Sequence, residues 1–286
     1  MLGKLFKHEW KRTSKMGSLM LVGILVMTLL GVLGFSLPFS YAIQNEEFGR
    51  GDETGFVIMI MIAVATMIVY MMTLMGVVYG MLIYMGVHMY KTTYSDEGYL
   101  THTLPVTSHQ IILSKVLNAG IWYVLVSICM MLSIVVLIFS MLFFMEGADG
   151  FAREMNVMWN DLADLYAVST GFQVARGILT VLLMFLVTPF STMMILFGSL
   201  SIGQLASKYR AVMGILAYFG VCMVNSVISY IIQMVTMFGN SFGAAMTNTE
   251  MNPMAVYDGT IITSALMMVG FYFVSHAIIS KKLNLE

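Results

Sequence analysis

Six apolar stretches of membrane-spanning length constrain this chain more than any other feature. They run over about 18–41, 56–90, 116–145, 175–205, 211–239 and 259–280. A helix rises about 1.5 Å per residue, so crossing a hydrocarbon core about 30 Å thick takes about 20 apolar residues. Each stretch reaches that length. In lipid the backbone must bond to itself, and a single run of this kind does so only as a helix. With 59% of residues hydrophobic and 10% charged, a water-soluble core is excluded. The sequence predicts an all-α polytopic membrane protein, a single transmembrane domain over 1–286 with six transmembrane helices.

Residues 1–16 precede the first span and have a different character. Leu2, Leu5, Phe6 and Trp10 share one helical face, with Lys4, Lys7, Lys11 and Arg12 around the others. This pattern predicts an amphipathic interfacial helix anchored by Phe6 and Trp10 at headgroup level; a frayed basic tail is the alternative. No secretory signal peptide is expected, because the first apolar run far exceeds a signal core. Pro38 predicts a kink or stop at the far end of span one, and Pro189 a kink or break inside span four. Gly76 and Gly80 form a GxxxG that permits a close helix contact. Span two exceeds the bilayer, so it tilts or projects beyond it. The acid-rich segment 146–173 is expected to carry a short surface helix, and 240–258 is a Gly/Asn/Thr-rich connection.

The basic residues orient the chain. Of 14 lysines and arginines, only Arg50, Arg153 and Arg176 fall on one side of the six spans. The side rich in lysine and arginine is the cytoplasmic one, which predicts N-in and C-in. Net charge is −1, and no basic surface suited to nucleic acid is expected.

The longest polar connection on the inner side covers 91–115, KTTYSDEGYLTHTLPVTSHQIILSK. Ser95 suits a helix cap, with Asp96 and Glu97 in the first turn where carboxylates meet the positive end of the helix. Pro105 disfavours helix at Leu104, so the short helix ends there. Thr107 and Gln110 then fit a capping box that opens the next helix. The expected result is a small cytoplasmic helix on a stalk, presenting Tyr99, Leu100 and Leu104.

Chemistry inside the spans is sparse. A charge near mid-membrane costs about 2.5–3.5 kcal/mol on insertion scales, and the spans hold essentially none there. This argues against an ion-coupled transporter and against a cation channel. Asn225, Ser229 and Gln233 recur at i, i+4 and i+8, a polar stripe that either bonds a neighbouring helix or lines a translocation path. The 31 methionines scatter over all spans without Met-x-x-Met clusters, as expected of packing rather than copper binding. Cys129 and Cys222 form no CxxC and are expected to be buried free thiols. His88, His102, His109 and His276 are expected to be solvated or interfacial. There is no GxxxxGK[ST], HExxH or GxSxG, so neither a phosphate-binding loop nor catalysis is expected of this chain.

Together these features resemble the permease subunits of ABC exporters of the ABC-2 type, over essentially the whole chain. The most specific part is Tyr94-Ser95-Asp96-Glu97-Gly98-Tyr99-Leu100-Thr101, followed by Leu104-Pro105 and Ser114-Lys115. It is similar to a DEGYL…LP…SK run in bacterial members. The resemblance implies that 96–104 is a coupling helix docked on a separate ATPase subunit, with Asp96, Glu97, Gly98, Tyr99, Leu100 and Leu104 at that contact. Lys208 and Arg210 would join a second, weaker one. It implies no cofactor in this chain, since ATP and Mg would be bound by the partner ATPase. It also implies a second permease, identical or homologous, and a multi-pass location in the bacterial cytoplasmic membrane. Members often carry re-entrant helices between the last two spans, where 240–258 is short and departs from the pattern.

On that resemblance the chain would form half of an export path, moved by rigid-body rocking between inward- and outward-facing states. An uncharged interior rich in Met and Phe favours a hydrophobic or amphipathic cargo such as a peptide antibiotic, lipid or drug. The competing reading is an ATPase-independent membrane immunity or sensor protein that binds a peptide or partner.

Overall fold

In the computed structural model, the structure describes residues 2–47, 53–95, 107–168, 171–206, 208–247 and 255–281. The helices are α1 (Leu2–Gly31), α2 (Leu37–Glu47), α3 (Glu53–Tyr94), α4 (Ser108–Val168), α5 (Gly171–Gly203), α6 (Arg210–Thr247) and α7 (Ala255–Lys281). A π-helical turn, Val32–Ser36, joins α1 to α2. No strand occurs among the described residues. Six helical stretches are long and apolar enough to cross a bilayer: Leu2–Gln44, Thr54–Tyr94, Ser108–Asp164, Val174–Gly203, Arg210–Met246 and Tyr257–Ser280. Their outward faces carry large apolar side chains such as Leu19, Met72, Phe219 and Phe238. So much exposed apolar surface suits lipid and not water. The chain is a helical multi-pass membrane protein.

Several expected boundaries move. No break separates residues 1–16 from span one, because α1 runs on through Gly17. A lone glycine costs a helix only about 1 kcal/mol, and the Ser18 hydroxyl bonds the Lys15 carbonyl across this point. Pro38 does not stop the chain's helix. The π turn takes up the disruption just before it, with the Leu37 N–H donating to the Val32 carbonyl. The Gly34 carbonyl, four residues before the proline, accepts from the Thr66 hydroxyl at 2.6 Å. A neighbouring helix thus supplies a donor to the turn in which proline has none. Pro189 likewise lies within α5 without ending it. In the acid-rich segment, helix continues past a break at Gly147, where φ is +70°, a conformation open to glycine. The Gln44 side-chain amide serves this break: its Nε2 donates to the Phe144 and Met145 carbonyls at 2.7 and 3.1 Å. α6 extends to Thr247 and α7 starts at Ala255, so helix covers much of 240–258.

The described residues form two compact units. One holds 14–81 and 125–172. It is tied by hydroxyls: Tyr70 Oη and Thr28 Oγ1 both meet Ser133 Oγ, at 2.6 and 2.7 Å, and Ser36 meets Ser140 at 2.8 Å. Among the described residues of this chain, the close contact that the GxxxG permits is not made. A Cβ on Gly76 would meet nothing within 4 Å, and one on Gly80 only the Met20 methyl at 3.8 Å.

The other unit holds 1–13, 82–124 and 173–286. Its core includes Met85, Met89, Ile111, Ile112, Met193 and Phe197, all fully buried, and α6 packs along α7. α5 and α6 approach closely at Gly203 and Gly214, where a Cβ on Gly203 would lie 2.4 Å from Gly214 Cα. Cys129 and Cys222 are free but half-buried, not buried as expected.

Candidate functional site

Three helices in the second unit bring polar residues together one helical turn apart. α1 presents Glu9 and Thr13, α3 presents His88 and Thr92, and α4 presents Lys115 and Asn118. Residues three or four apart share a helix face, so each helix offers a two-rung polar ladder within an otherwise apolar surface. Lys115 Nζ donates to Glu9 Oε1 at 2.7 Å and to Thr92 Oγ1 at 2.5 Å. His88 Nε2 lies 2.7 Å from Glu9 Oε2. A carboxylate only accepts, so His88 Nε2 carries the proton. Asn118 and Thr13 bond each other at 3.1–3.2 Å on the adjoining rung, and Trp10 stacks on Trp122 with ring centroids 4.8 Å apart.

Burial makes this arrangement consequential. Glu9 and His88 are 8% exposed and Lys115 is 3% exposed. A buried ion left without its partner loses several kcal/mol of solvation, whereas a bonded pair largely offsets that loss. Here both carboxylate oxygens are occupied, one by an ammonium and one by an imidazole. One sequence expectation is corrected: His88 is not solvated but buried. Lys115, at the end of the 91–115 connection as read, lies within α4 and is buried beside the same carboxylate. Phe6 and Trp10, read as interfacial anchors, are half-buried and form a stack that continues onto Trp122.

The cluster lies near the segment that the resemblance implies to be a coupling helix. Asp96, Glu97, Gly98, Tyr99, Leu100 and Leu104 lie outside the described residues, as does His102, but both helices leading to them are fixed. At the last residue of α3, Tyr94 Oη meets Ser201 Oγ of α5 at 2.5 Å. Ser95, expected to cap a new helix, gives its hydroxyl proton back to the Lys91 carbonyl at 2.7 Å. At the other foot, α4 starts at Ser108 as the capping-box reading predicts, with the Thr107 carbonyl accepting from Gln110 and Ile111. His109 in that first turn hydrogen-bonds Tyr272 Oη of α7 through Nδ1 and stacks on His276. The two feet are therefore held by the N-terminal helix, α5 and α7 together.

The remaining candidates sit apart from this frame. Lys208 is exposed and Arg210 opens α6. Between them Tyr209 adopts φ 54°, a conformation unusual for a bulky residue. Of the polar stripe on α6, Gln233 donates to Thr260 of α7 at 3.1 Å, which is the helix-to-helix bond of the plainer reading. Asn225 and Ser229 are half-buried. Toward the opposite ends of α5 and α7, Arg176 pairs with Asp258 at 2.5 Å. No three His, Cys, Asp or Glu side chains converge as a metal site among the described residues.

Sequence reasoning missed the Glu9–His88–Lys115 cluster. The available signal was the pairing of a polar residue with another one turn away at a helix end: Glu9/Thr13, His88/Thr92 and Lys115/Asn118. No protein-family model, curated protein or solved structure matches the chain.

Proposed function

We propose that this chain is the membrane-spanning permease subunit of an ATP-driven exporter of the ABC-2 type, lying N-in and C-in in a bacterial cytoplasmic membrane. The segment 96–104 is its coupling helix, and Tyr99, Leu100 and Leu104 face a groove on a separate ATPase subunit that binds ATP and Mg. A second permease, identical or homologous, completes the path for a hydrophobic or amphipathic cargo. Asn225 and Ser229, with Gln233 already engaged by Thr260, are the polar groups of α6 offered to that path.

One observation carries the reading beyond the sequence resemblance. The two feet of the 96–106 segment are tied by buried polar bonds to the N-terminal helix and α5, and by the exposed His109–Tyr272 bond to α7. A displacement applied to that segment reaches several helices together instead of being absorbed at a hinge. That is the mechanical property a coupling element needs.

The test is a mild-detergent pulldown of the tagged chain from its native membrane, with and without Leu100→Asp. Recovery of a P-loop ATPase with the wild type, lost in the variant, is the expected result. A wild type that brings down no ATPase, or a variant that retains it in full, contradicts the assignment.

A further inference from the structure

We propose that α4, α5 and α7 form a specific site for one anionic phospholipid, its acyl chain in an apolar cleft and its phosphate on the His109/His276 pair. The inference needs only the membrane-spanning architecture and stands apart from the transport reading.

The cleft has a volume of about 470 Å³ and is walled by residues including Ile112 and Val116 of α4, Leu186 and Phe190 of α5, and Met268 and Tyr272 of α7. That volume falls within the ~300–1,000 Å³ typical of ligand sites. Tyr272 is the one lining residue with a polar group, and its hydroxyl is bonded to His109 Nδ1. In the tautomer in which the Tyr272 hydroxyl donates to Nδ1, His109 carries its proton on Nε2 and can donate it to an anion. The His276 ring lies over His109 at a centroid separation of 4.0 Å and an interplanar angle of 18°. No carboxylate pairs with either ring among the described residues. His109 also sits in the first turn of α4, where helix N–H groups lack intrahelical partners and the dipole favours an anion. Two imidazoles and a helix start thus lie together beside an apolar slot, linked to it through Tyr272, which lines the slot and bonds His109.

The wall chemistry selects the occupant. A peptide inserted in the cleft would bury backbone N–H and C=O groups against walls that offer them no partner, at a cost of several kcal/mol each. An acyl chain has no such groups. A phosphate at its end meets the imidazole donors, as basic pockets between membrane helices on the cytoplasmic side do for anionic headgroups. In the proposed orientation His109 and His276 both lie toward that side, placing the headgroup in the inner leaflet.

The test uses the full chain, delipidated in a neutral detergent, with its thermal unfolding followed on adding phosphatidylglycerol, phosphatidylcholine of the same chains, or inorganic phosphate. Phosphatidylglycerol is expected to raise the midpoint at concentrations where the other two do not. The double variant His109→Ala/His276→Ala weakens that response about tenfold or more, and Leu186→Trp, which fills the slot, removes it. Native mass spectrometry of Tyr272→Phe, a milder change, gives a second readout through loss of the retained phosphatidylglycerol adduct. Equal shifts from both lipids overturn the proposal, because the imidazoles then select nothing. So does a full response to inorganic phosphate alone, or an unchanged phosphatidylglycerol response in the histidine double variant.

Discussion

The two compact units solve the same problem, holding helices together in lipid, with different chemistry. The unit containing Tyr70, Thr28 and Ser133 uses neutral hydroxyls deep within the apolar runs. The unit containing Glu9, His88 and Lys115 uses ions, placed near helix ends beside a polar segment. Hydroxyl bonds between membrane helices contribute about 0.6 kcal/mol on average, because the unfolded chain in lipid also finds partners. They specify which faces meet but leave the helices separable. A buried ion pair contributes little net stability, yet breaking it is expensive. Such a contact suits a junction that must move as a block. The comparison teaches that the charged unit is built against partial opening, where the hydroxyl unit is built for register.

Replacing Lys115 with Met sharpens this contrast most. It leaves Glu9 buried with only His88 for company, and destabilisation of about 3–5 kcal/mol is expected, read as a large fall in the unfolding midpoint in detergent. Adding Glu9→Gln should recover much of the loss, since the stranded charge goes with it. An unchanged midpoint in the single variant would break the comparison.

In the hydroxyl unit the largest effect should come from shape instead of polarity. A Cβ on Gly34 would lie 2.7 Å from Thr66 Cγ2, so Gly34→Val forces the two helices apart and displaces the Thr66 bond. Overpacking of this kind costs about 1–3 kcal/mol. Ser133→Ala, which removes the shared partner of Tyr70 and Thr28, is expected to cost less, about 0.6–1.7 kcal/mol; a loss as large as that of Lys115→Met would erase the distinction between the units. The smallest effect is expected at Arg176, which is 47% exposed in its pair with Asp258. There Arg176→Ala should cost no more than about 1 kcal/mol, and less as salt is raised.

Much of the fold was legible because bilayer thickness imposes a length that composition reveals directly. All six apolar runs correspond to helices, and Thr107 marks the start of α4 as read. The errors arose where a neighbouring helix overrode a local rule. Of the kink or stop expected at Pro38, the stop is absent because a π turn and Thr66 take up its disruption, and nothing local to Pro38 announces Thr66, 28 positions away. Taken alone, His88 reads as an ordinary solvated or interfacial residue and Lys115 as the end of a polar connection. Only their meeting with Glu9, across separations of 79 and 106 positions, makes them a buried cluster. Periodicity reports which residues share a face, and pairing of faces is a tertiary property. The DEGYL segment supplied the functional reading from local order alone, whereas the frame that holds its feet required the fold.

The measurement that tests the account most directly is hydrogen–deuterium exchange on wild type and Glu9→Gln in the same detergent. If the charged cluster holds both feet of the 96–106 segment as one block, amides in 88–95 and in 107–118 lose protection together in the variant. Amides around Tyr70 and Ser133 should stay as they were. Faster exchange confined to the N-terminal residues near Glu9, with both feet unchanged, would contradict the account.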